Sequence, residues 1–592
     1  MNRRMLLPLS LCLLAVPAGA GLAADSISDP ERQPNVVVIL TDDQGWGDLS
    51  VNGNKNLSTP RIDSLAGDGA TLQHFYVCSV CAPTRAEFLT GRYYSRTGVS
   101  GVTRGEGRLN LDETTIADVF HEAGYATGIF GKWHNGTQPP YHPCDRGFDE
   151  FYGFTSGHWG HYFSPPLDHN RQRVRGQGFI VDDFTSHAIA FIEACRERPF
   201  FCYVPVNTPH SPMFVPDQFY RKFDGRDPEM RHRDPGREDV MMTRAALALC
   251  ENIDWNVGRI LRKLDELQLR ENTIVVYFSD NGPNSWRWNG GLKGRKGSID
   301  EGGVRSPFLI RWPGRIAAGS VLPQVTGAID LLPTLADLAG IQARTRKPQD
   351  GRSFAPLVLG QSHVWSDRPL YSVRKNQVSV RTQQFRLDAE GRLFDIGLDP
   401  GQRTDVSDRH KELTATLIQQ AKAHGRIMQM HRQASADRPF SVGYGPATTL
   451  PARDGVEHGT IRRSSKAPNN SFFTNWTHSD DFITWDIEAG HAGDYEAVVF
   501  YTCAKGDEGA TVRLSAGDSE FIQSPVSLPF DPPLYDKSQE RVAESHYFVK
   551  DFKPLHLGTL HLNKGRSTLK LDMPVLTGKR GIDVHSLELL IR

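Results

Sequence analysis

"NVVVILTDDQG", residues 35–45, sets five consecutive apolar residues before a threonine and two adjacent aspartates. An unbroken β-branched run of this length predicts a strand buried on both faces, not the alternating pattern of a half-exposed one. Three other segments share the design. "YATGIF" (125–130) runs into Gly131-Lys132-Trp133-His134, and "FFCYVPV" (200–206) into Asn207-Thr208-Pro209-His210. "TIVVYF" (273–278) runs into Ser279-Asp280-Asn281-Gly282. Helical patterns lie between them, over 116–123, 184–195 and 245–267. Strands alternating with helices predict an α/β layered domain. Ligands of such sheets bind beyond the carboxyl ends of the strands, so four polar strand ends predict one shared site.

The chain has 592 residues, which implies two or three domains. It carries 68 Lys and Arg against 69 Asp and Glu, a net charge of −1. That balance argues against a nucleic-acid binder or a polybasic membrane protein. "MNRR", the apolar run 6–16 and the small residues of "AGAGLAA" predict a signal peptide over 1–24. The run is too short to span a bilayer, and no later stretch is long and apolar enough. The expectation is a periplasmic or secreted protein without a transmembrane segment. Residues 430–465 are polar and linker-like, and short alternating segments with Gly, Asp and Pro turns follow. They predict an all-β sandwich over 445–592.

Asp42, Asp43, Asp280 and Asn281 offer hard oxygen ligands at two strand ends. Three carboxylates brought together repel unless a cation lies between them. Calcium, or else magnesium, suits such donors, whereas zinc prefers nitrogen and sulfur. Helix capping explains one aspartate at a time but not adjacent pairs at two strand ends. Arg85, Lys132, His134, His210 and Lys296 add positive charge around that cation. A divalent ion ringed by Arg, Lys and His suits an anionic ester, and phosphate and sulfate esters are the natural substrates.

"YVCSVCAPTRAEFLTGRYY", residues 76–94, holds two cysteines three apart. No second CxxC exists, so a structural zinc site is not expected, while a redox pair is an open alternative. Pro83 fits the first turn of a helix and Gly91 its end. Cys81 then lies at a helix N-terminus, where backbone donors favour anions, and Arg85 shares its face. A thiol oxidoreductase needs neither that arginine nor a carboxylate cluster.

Cys81-Ala82-Pro83-Thr84-Arg85, followed by Leu89-Thr90-Gly91-Arg92, resembles the signature of the formylglycine-dependent sulfatases, arylsulfatase-like enzymes of the alkaline phosphatase superfamily. The resemblance runs from about residue 35 to the low 400s through "TDDQGWGD", "GKWH", "GFDEFYGF", "TPHSP", "SDNG", "GSIDEGGVRSP" and "LFDIGLDPGQRTDV". It implies a mixed sheet sandwiched by helices over 35–344, a small α+β subdomain over 345–430, and hydrolysis of sulfuric esters. By the same resemblance, Cys81 is oxidised to formylglycine by a maturation enzyme. One hydroxyl of the hydrated aldehyde attacks sulfur, and the other expels sulfate. Asp42, Asp43, Asp280 and Asn281, with the modified Cys81, match the ligands of a metal that is usually calcium. Arg85 and Lys132 match residues that hold the hydrate and sulfate, and His134 matches its proton acceptor. His210 and Lys296 match groups that bind sulfate and assist the leaving alcohol.

Thr84 stands where serine is commoner and Asn135 where leucine is usual. The expected substrate is a sulfated carbohydrate, with loop 157–175 and its His158, Trp159, His161 and His169 as candidate pocket residues. The alternatives are a phosphomonoester or phosphonate-ester hydrolase, and an inactive glycan-binding protein. The 445–592 sandwich resembles carbohydrate-binding jelly rolls, with a purely structural accessory domain as the alternative. All catalytic groups precede residue 300, so removing residues from 445 onward is expected to spare hydrolysis of a small aryl sulfate.

Overall fold

A computed structural model describes residues 33–435, 437–517, 520–542 and 547–592. The leader expected over 1–24 lies outside them. Strand β1 (Asn35–Asp42) is buried along its whole length. Val36, Val38 and Leu40 pack into one apolar core, and Val37 and Ile39 into another on the opposite face. Successive side chains of a strand point to opposite faces, so both faces of the sheet are covered. Helices Cys81–Thr90, Ile116–Glu122 and Leu331–Leu338 cover the first face. Helices Pro60–Gly67, Ile180–Ala194 and Val240–Glu266 cover the second.

The central sheet has eleven strands among the described residues. Besides β1 they are β2 (Ala70–Tyr76), β3 (Ala126–Lys132), β4 (Glu150–Phe154), β5 (Pro166–His169) and β6 (Gln172–Arg175). β7 (Phe200–Pro209), β8 (Thr273–Ser279), β9 (Arg305–Ser306), β10 (Phe308–Arg311) and β11 (Ser320–Gly327) complete it. Their order is β11-β2-β10-β8-β1-β7-β3-β4-β5-β6, with β9 paired to β2. β1 is parallel to both β7 and β8, and β3 is parallel to β7. β10 runs antiparallel between β8 and β2, so the sheet is mixed and β2 points the same way as β8. The carboxyl ends of β1, β2, β3, β7 and β8 therefore lie on one edge.

A second, antiparallel sheet is formed by β12 (Leu370–Arg374), β13 (Gln377–Arg381), β14 (Phe385–Leu387) and β15 (Leu393–Asp395), against which helix Lys411–Ala434 packs Leu417 and Ala421. Two further six-stranded sheets enclose a core that includes Trp476 and Trp485.

The linker expected around 430–465 is not one. Helix Lys411–Ala434 extends into it, and Phe440–Val442, Ala447–Pro451, Val456–His458 and Arg462–Arg463 are strands of the two C-terminal sheets. They are short, and three of them pair with long partners at 482–489 and 583–591. Stretches this brief do not show a strand pattern of their own. The described residues from 33 onward form one compact body.

The C-terminal sheets dock on the loops that follow β3 and β7. Ser441 Oγ donates to Pro139 O at 2.7 Å, and Gln138 Nε2 donates to Thr449 O at 3.0 Å. Val215 N donates to Gln539 O at 3.1 Å, and Arg541 N to Met213 O at 2.9 Å. Among the described residues no helix is long and apolar enough to cross a membrane.

Candidate active site

Each strand of the shared edge delivers its polar residues where its apolar run stops. β1 ends at Asp42, and Asp43 follows with a φ of 68°. β8 leads into Asp280 and Asn281, β3 ends at Lys132, and β7 leads to His210. β2 leads to helix Cys81–Thr90, whose first residue is Cys81 and whose C-cap is Gly91 at φ 67°. The helix is buried throughout, and Ala82 and Ala86 let it lie close to the sheet.

Ligand atoms of Asp42, Cys81 and Asp280 lie within 4.8 Å of one another, as do those of Asp42, Asp43 and His210. Cations interleave with these acids. Lys132 Nζ is 2.6 Å from Asp42 Oδ2, and Arg85 Nη2 is 2.9 Å from Asp280 Oδ2. Lys296 Nζ is 2.6 Å from Asp43 Oδ1, and Asn281 Nδ2 donates to the same oxygen at 2.7 Å. Arg85 Nη1 also donates to Lys132 O at 2.7 Å, which ties the helix to β3. Burial and the Asp42 charge push Asp280 up to about 6. Asp43 behaves in the opposite way: burial would raise it, but His210 and Lys296 hold it well below the usual carboxylate range.

Asp42 Oδ1, Asp43 Oδ2 and Asn281 Oδ1 are buried acceptors with no hydrogen-bond partner among the described residues. Buried polar atoms are normally satisfied, so three unsatisfied oxygens at two adjacent strand ends need an explanation. Oxygen donors, a formal charge from three carboxylates and a ring of cations fit calcium or magnesium, and not a thiolate-preferring ion.

The two histidines are held in defined tautomers. His134 Nε2 lies 3.0 Å from Val102 O, which can only accept, so the proton is on Nε2. Nδ1 is then a buried acceptor without a partner among the described residues. Burial and the Lys132 charge keep the ring neutral, far below its usual pKa. A Cβ at Gly157 would lie 2.5 Å from His134 Nε2, so only glycine leaves room beside the imidazole. His210 Nδ1 donates to Ser211 O at 2.6 Å, which turns Nε2 toward Asp43 Oδ2 at 3.6 Å.

All ten residues singled out from the sequence thus gather at one edge of the sheet. Of the loop histidines only His158 reaches it, stacked on His210 with ring centroids 5.7 Å apart. Trp159 stacks on Phe154, His161 donates from Nε2 to Asp536 O and accepts at Nδ1 from Phe163 N, and His169 lies by Glu150. Cys78 and Cys81 are both free, and the Cys78 thiol is raised well above its usual value by burial and the nearby Glu87.

Sequence reasoning missed Asn207 at the end of β7, whose amide oxygen and nitrogen are both buried and have no partner among the described residues. Its place in a strand-end motif was the available signal. It also missed the C-terminal part of the wall. Asn469 Nδ2 donates to Val102 O at 3.1 Å, the same carbonyl that fixes His134. Tyr547 meets the His158 ring edge-on at 5.0 Å. The segment beyond 445, whose removal was expected to spare hydrolysis of a small aryl sulfate, contributes residues that touch the partners of His134 and His210.

Residues 34–341 match the family model described as "Sulfatase", and residues 295–426 match "N-sulphoglucosamine sulphohydrolase, C-terminal". The chain is 33% identical over 406 residues to N-acetylgalactosamine-6-sulfatase of Canis lupus familiaris, covering 62% of this chain and 73% of that protein. It is 35% identical over 510 residues to arylsulfatase A of Bos taurus, covering 74% and 95%. The crystal structure of Ps i-CgsB in complex with k-i-k-neocarrahexaose superposes with a TM-score of 0.62 at 29% identity, covering 68% of this chain and 98% of that one. The first family match spans the whole strand edge from Asp42 to Lys296, and by it the chain belongs to the sulfatase family, a sulfuric ester hydrolase.

Proposed function

We propose that the enzyme removes sulfate from a sulfated saccharide, with Cys81 converted to formylglycine and a calcium ion at the acidic cluster. The observation that carries this reading is the set of three unpartnered oxygens beside Cys81 at a helix start. Asp42, Asp43, Asp280 and Asn281 would hold the cation, which supplies positive charge to the sulfate oxygens. The Sγ of Cys81 stands where the modified side chain would carry its oxygens, and the hydrated aldehyde supplies the nucleophile toward sulfur. Conversion at Cys81 calls for a maturation enzyme as partner.

The chain's own residues divide the remaining work. Arg85 and Lys132 sit behind Cys81 and neutralise the oxygens around the reacting sulfur. His134, neutral and with its Nδ1 lone pair free, accepts a proton from the position-81 side chain. Lys296 and His210 lie on the Asp43 side, where Lys296 binds sulfate oxygens and His210, once its Nε2 is protonated, donates to the departing alcohol. Hydrolysis is balanced by one water: the ester becomes an alcohol, and sulfate leaves with the released proton taken up by solvent.

The saccharide reading draws on the similar proteins. N-acetylgalactosamine-6-sulfatase names a sugar sulfate, and the Ps i-CgsB crystal structure holds neocarrahexaose. Export to the periplasm or beyond rests on the sequence of residues 1–24. The test is a panel of defined sulfated mono- and oligosaccharides assayed for released sulfate by ion chromatography. Release from at least one saccharide is expected; release from aryl sulfates alone would reject the saccharide assignment.

A further inference from the structure

Beside His134 a cleft opens between the loop at 102–108, the turn at 136–138 and the C-terminal sheets. Its lining carries three guanidinium groups, Arg104, Arg108 and Arg453, and one carboxylate, Asp454. Arg108 donates to the backbone carbonyls of Gly105, Pro439 and Arg438, none of which neutralises it. Arg104 is exposed and has no ion pair among the described residues. Arg453 donates to Thr137 Oγ1 at 2.7 Å, and its nearest carboxylate oxygen, on Asp454, is 3.8 Å away. Asp454 is itself engaged by Gln138 Nε2 at 3.2 Å. Positive charge in this cleft therefore exceeds negative, and it faces the space next to the proposed base.

Three of the groups that shape the cleft, Arg453, Asp454 and Asn469, come from the C-terminal segment. Arg453 is nearly buried, with a side-chain exposure of 11%. Burying a guanidinium opposite too few carboxylates is unfavourable unless an anion completes the site. The reacting sulfate already has Arg85, Lys132, His210 and Lys296 around the acidic cluster. The cleft arginines share a lining with His134 that includes none of those four residues, and a second anion fits them.

The geometry points to a subsite, built jointly by the catalytic layer and the C-terminal sheets, for a second anionic group of the substrate. The group is an oxyanion, a sulfate ester or a carboxylate, on the sugar that carries the reacting sulfate or on its neighbour. Arginine suits both, because its planar fork binds their paired oxygens. This inference rests on the saccharide reading above and refines it: the preferred substrate is polyanionic.

The test compares four substrates with the full-length enzyme: an aryl sulfate, a monosulfated disaccharide, the same disaccharide with a second sulfate, and one with a uronate carboxylate instead. The enzyme is expected to favour one dianionic disaccharide over the monosulfated one by about tenfold in kcat/KM, mainly through KM, as one charge-assisted hydrogen bond provides. Whichever dianion is favoured identifies the second group. Arg104→Ala, at an exposed position that does not endanger folding, and Arg453→Ala should each cut that preference to about threefold or less. Arg453→Lys should restore part of it, and added salt should weaken it in the unmodified enzyme. No preference for either dianion, or equal losses of all four substrates in both variants, overturns the subsite. Turnover of the aryl sulfate with none of any disaccharide overturns the saccharide reading and the subsite with it. Good turnover of the monosulfated disaccharide without a dianion preference overturns the subsite alone.

Discussion

His134 has a φ of 67°, a conformation costly for a side chain of this kind, and its two ring nitrogens have different surroundings. One faces the Val102 carbonyl, and the other is buried without a partner. Replacing it removes an acceptor and no metal ligand. His134→Ala should lower kcat by about a hundredfold or more, the usual range for a general base, with bound metal retained. Asp42→Asn should behave differently, losing both turnover and metal, because it removes charge that holds the cation. Elemental analysis beside kcat separates the two, and metal loss in His134→Ala would show that the histidine has been misplaced. His210→Ala should keep the fold and lower kcat by at least about a hundredfold, as loss of a transition-state donor does. Such side chains were legible in the sequence because each follows directly on an apolar strand. Asn207 was passed over because asparagine at a strand end looks like any polar turn.

Helix Cys81–Thr90 is an element with no exposed face. Glu87 in its last turn accepts from Tyr94 N at 3.3 Å and from the Cys78 thiol, yet has no cation beside it among the described residues. Burial lifts its carboxyl from an ordinary 4.5 to about 8. The folded protein therefore keeps this proton while the unfolded chain loses it above about 4.5. Its contribution to stability is present below that value and is lost as pH rises toward 8. Glu87→Gln should abolish this loss, so that its melting temperature exceeds that of the unmodified enzyme more at pH 8.5 than at pH 5. A difference that does not change with pH would contradict a protonated Glu87. The helix start at Cys81, its end at Gly91 and the strands before the strand-end motifs were readable from local pattern alone. Strands at 440–463 were not, since each is only two to five residues long and depends on a distant partner.

At the scale of the whole molecule, the C-terminal sheets dock on the same edge that carries the chemistry. Sequence could not show this, because the seam is written largely in backbone atoms: Val102 O, Pro139 O, Gln539 O and Asp536 O accept its bonds. No side-chain pattern encodes such partners. Asn469→Ala should lower kcat on a small aryl sulfate several-fold, since it frees the carbonyl that orients His134, while circular dichroism stays unchanged. An unaltered kcat would leave the seam without a role in positioning His134. The central claim, that the sulfatase chemistry of this chain runs through a modified Cys81, has its most direct test in the tryptic peptide 62–85. Mass spectrometry of active enzyme, made together with a maturation enzyme, should show an aldehyde at Cys81, its sulfur and two hydrogens replaced by one oxygen, beside an unmodified Cys78. Fully active enzyme whose Cys81 remains a thiol would contradict the account.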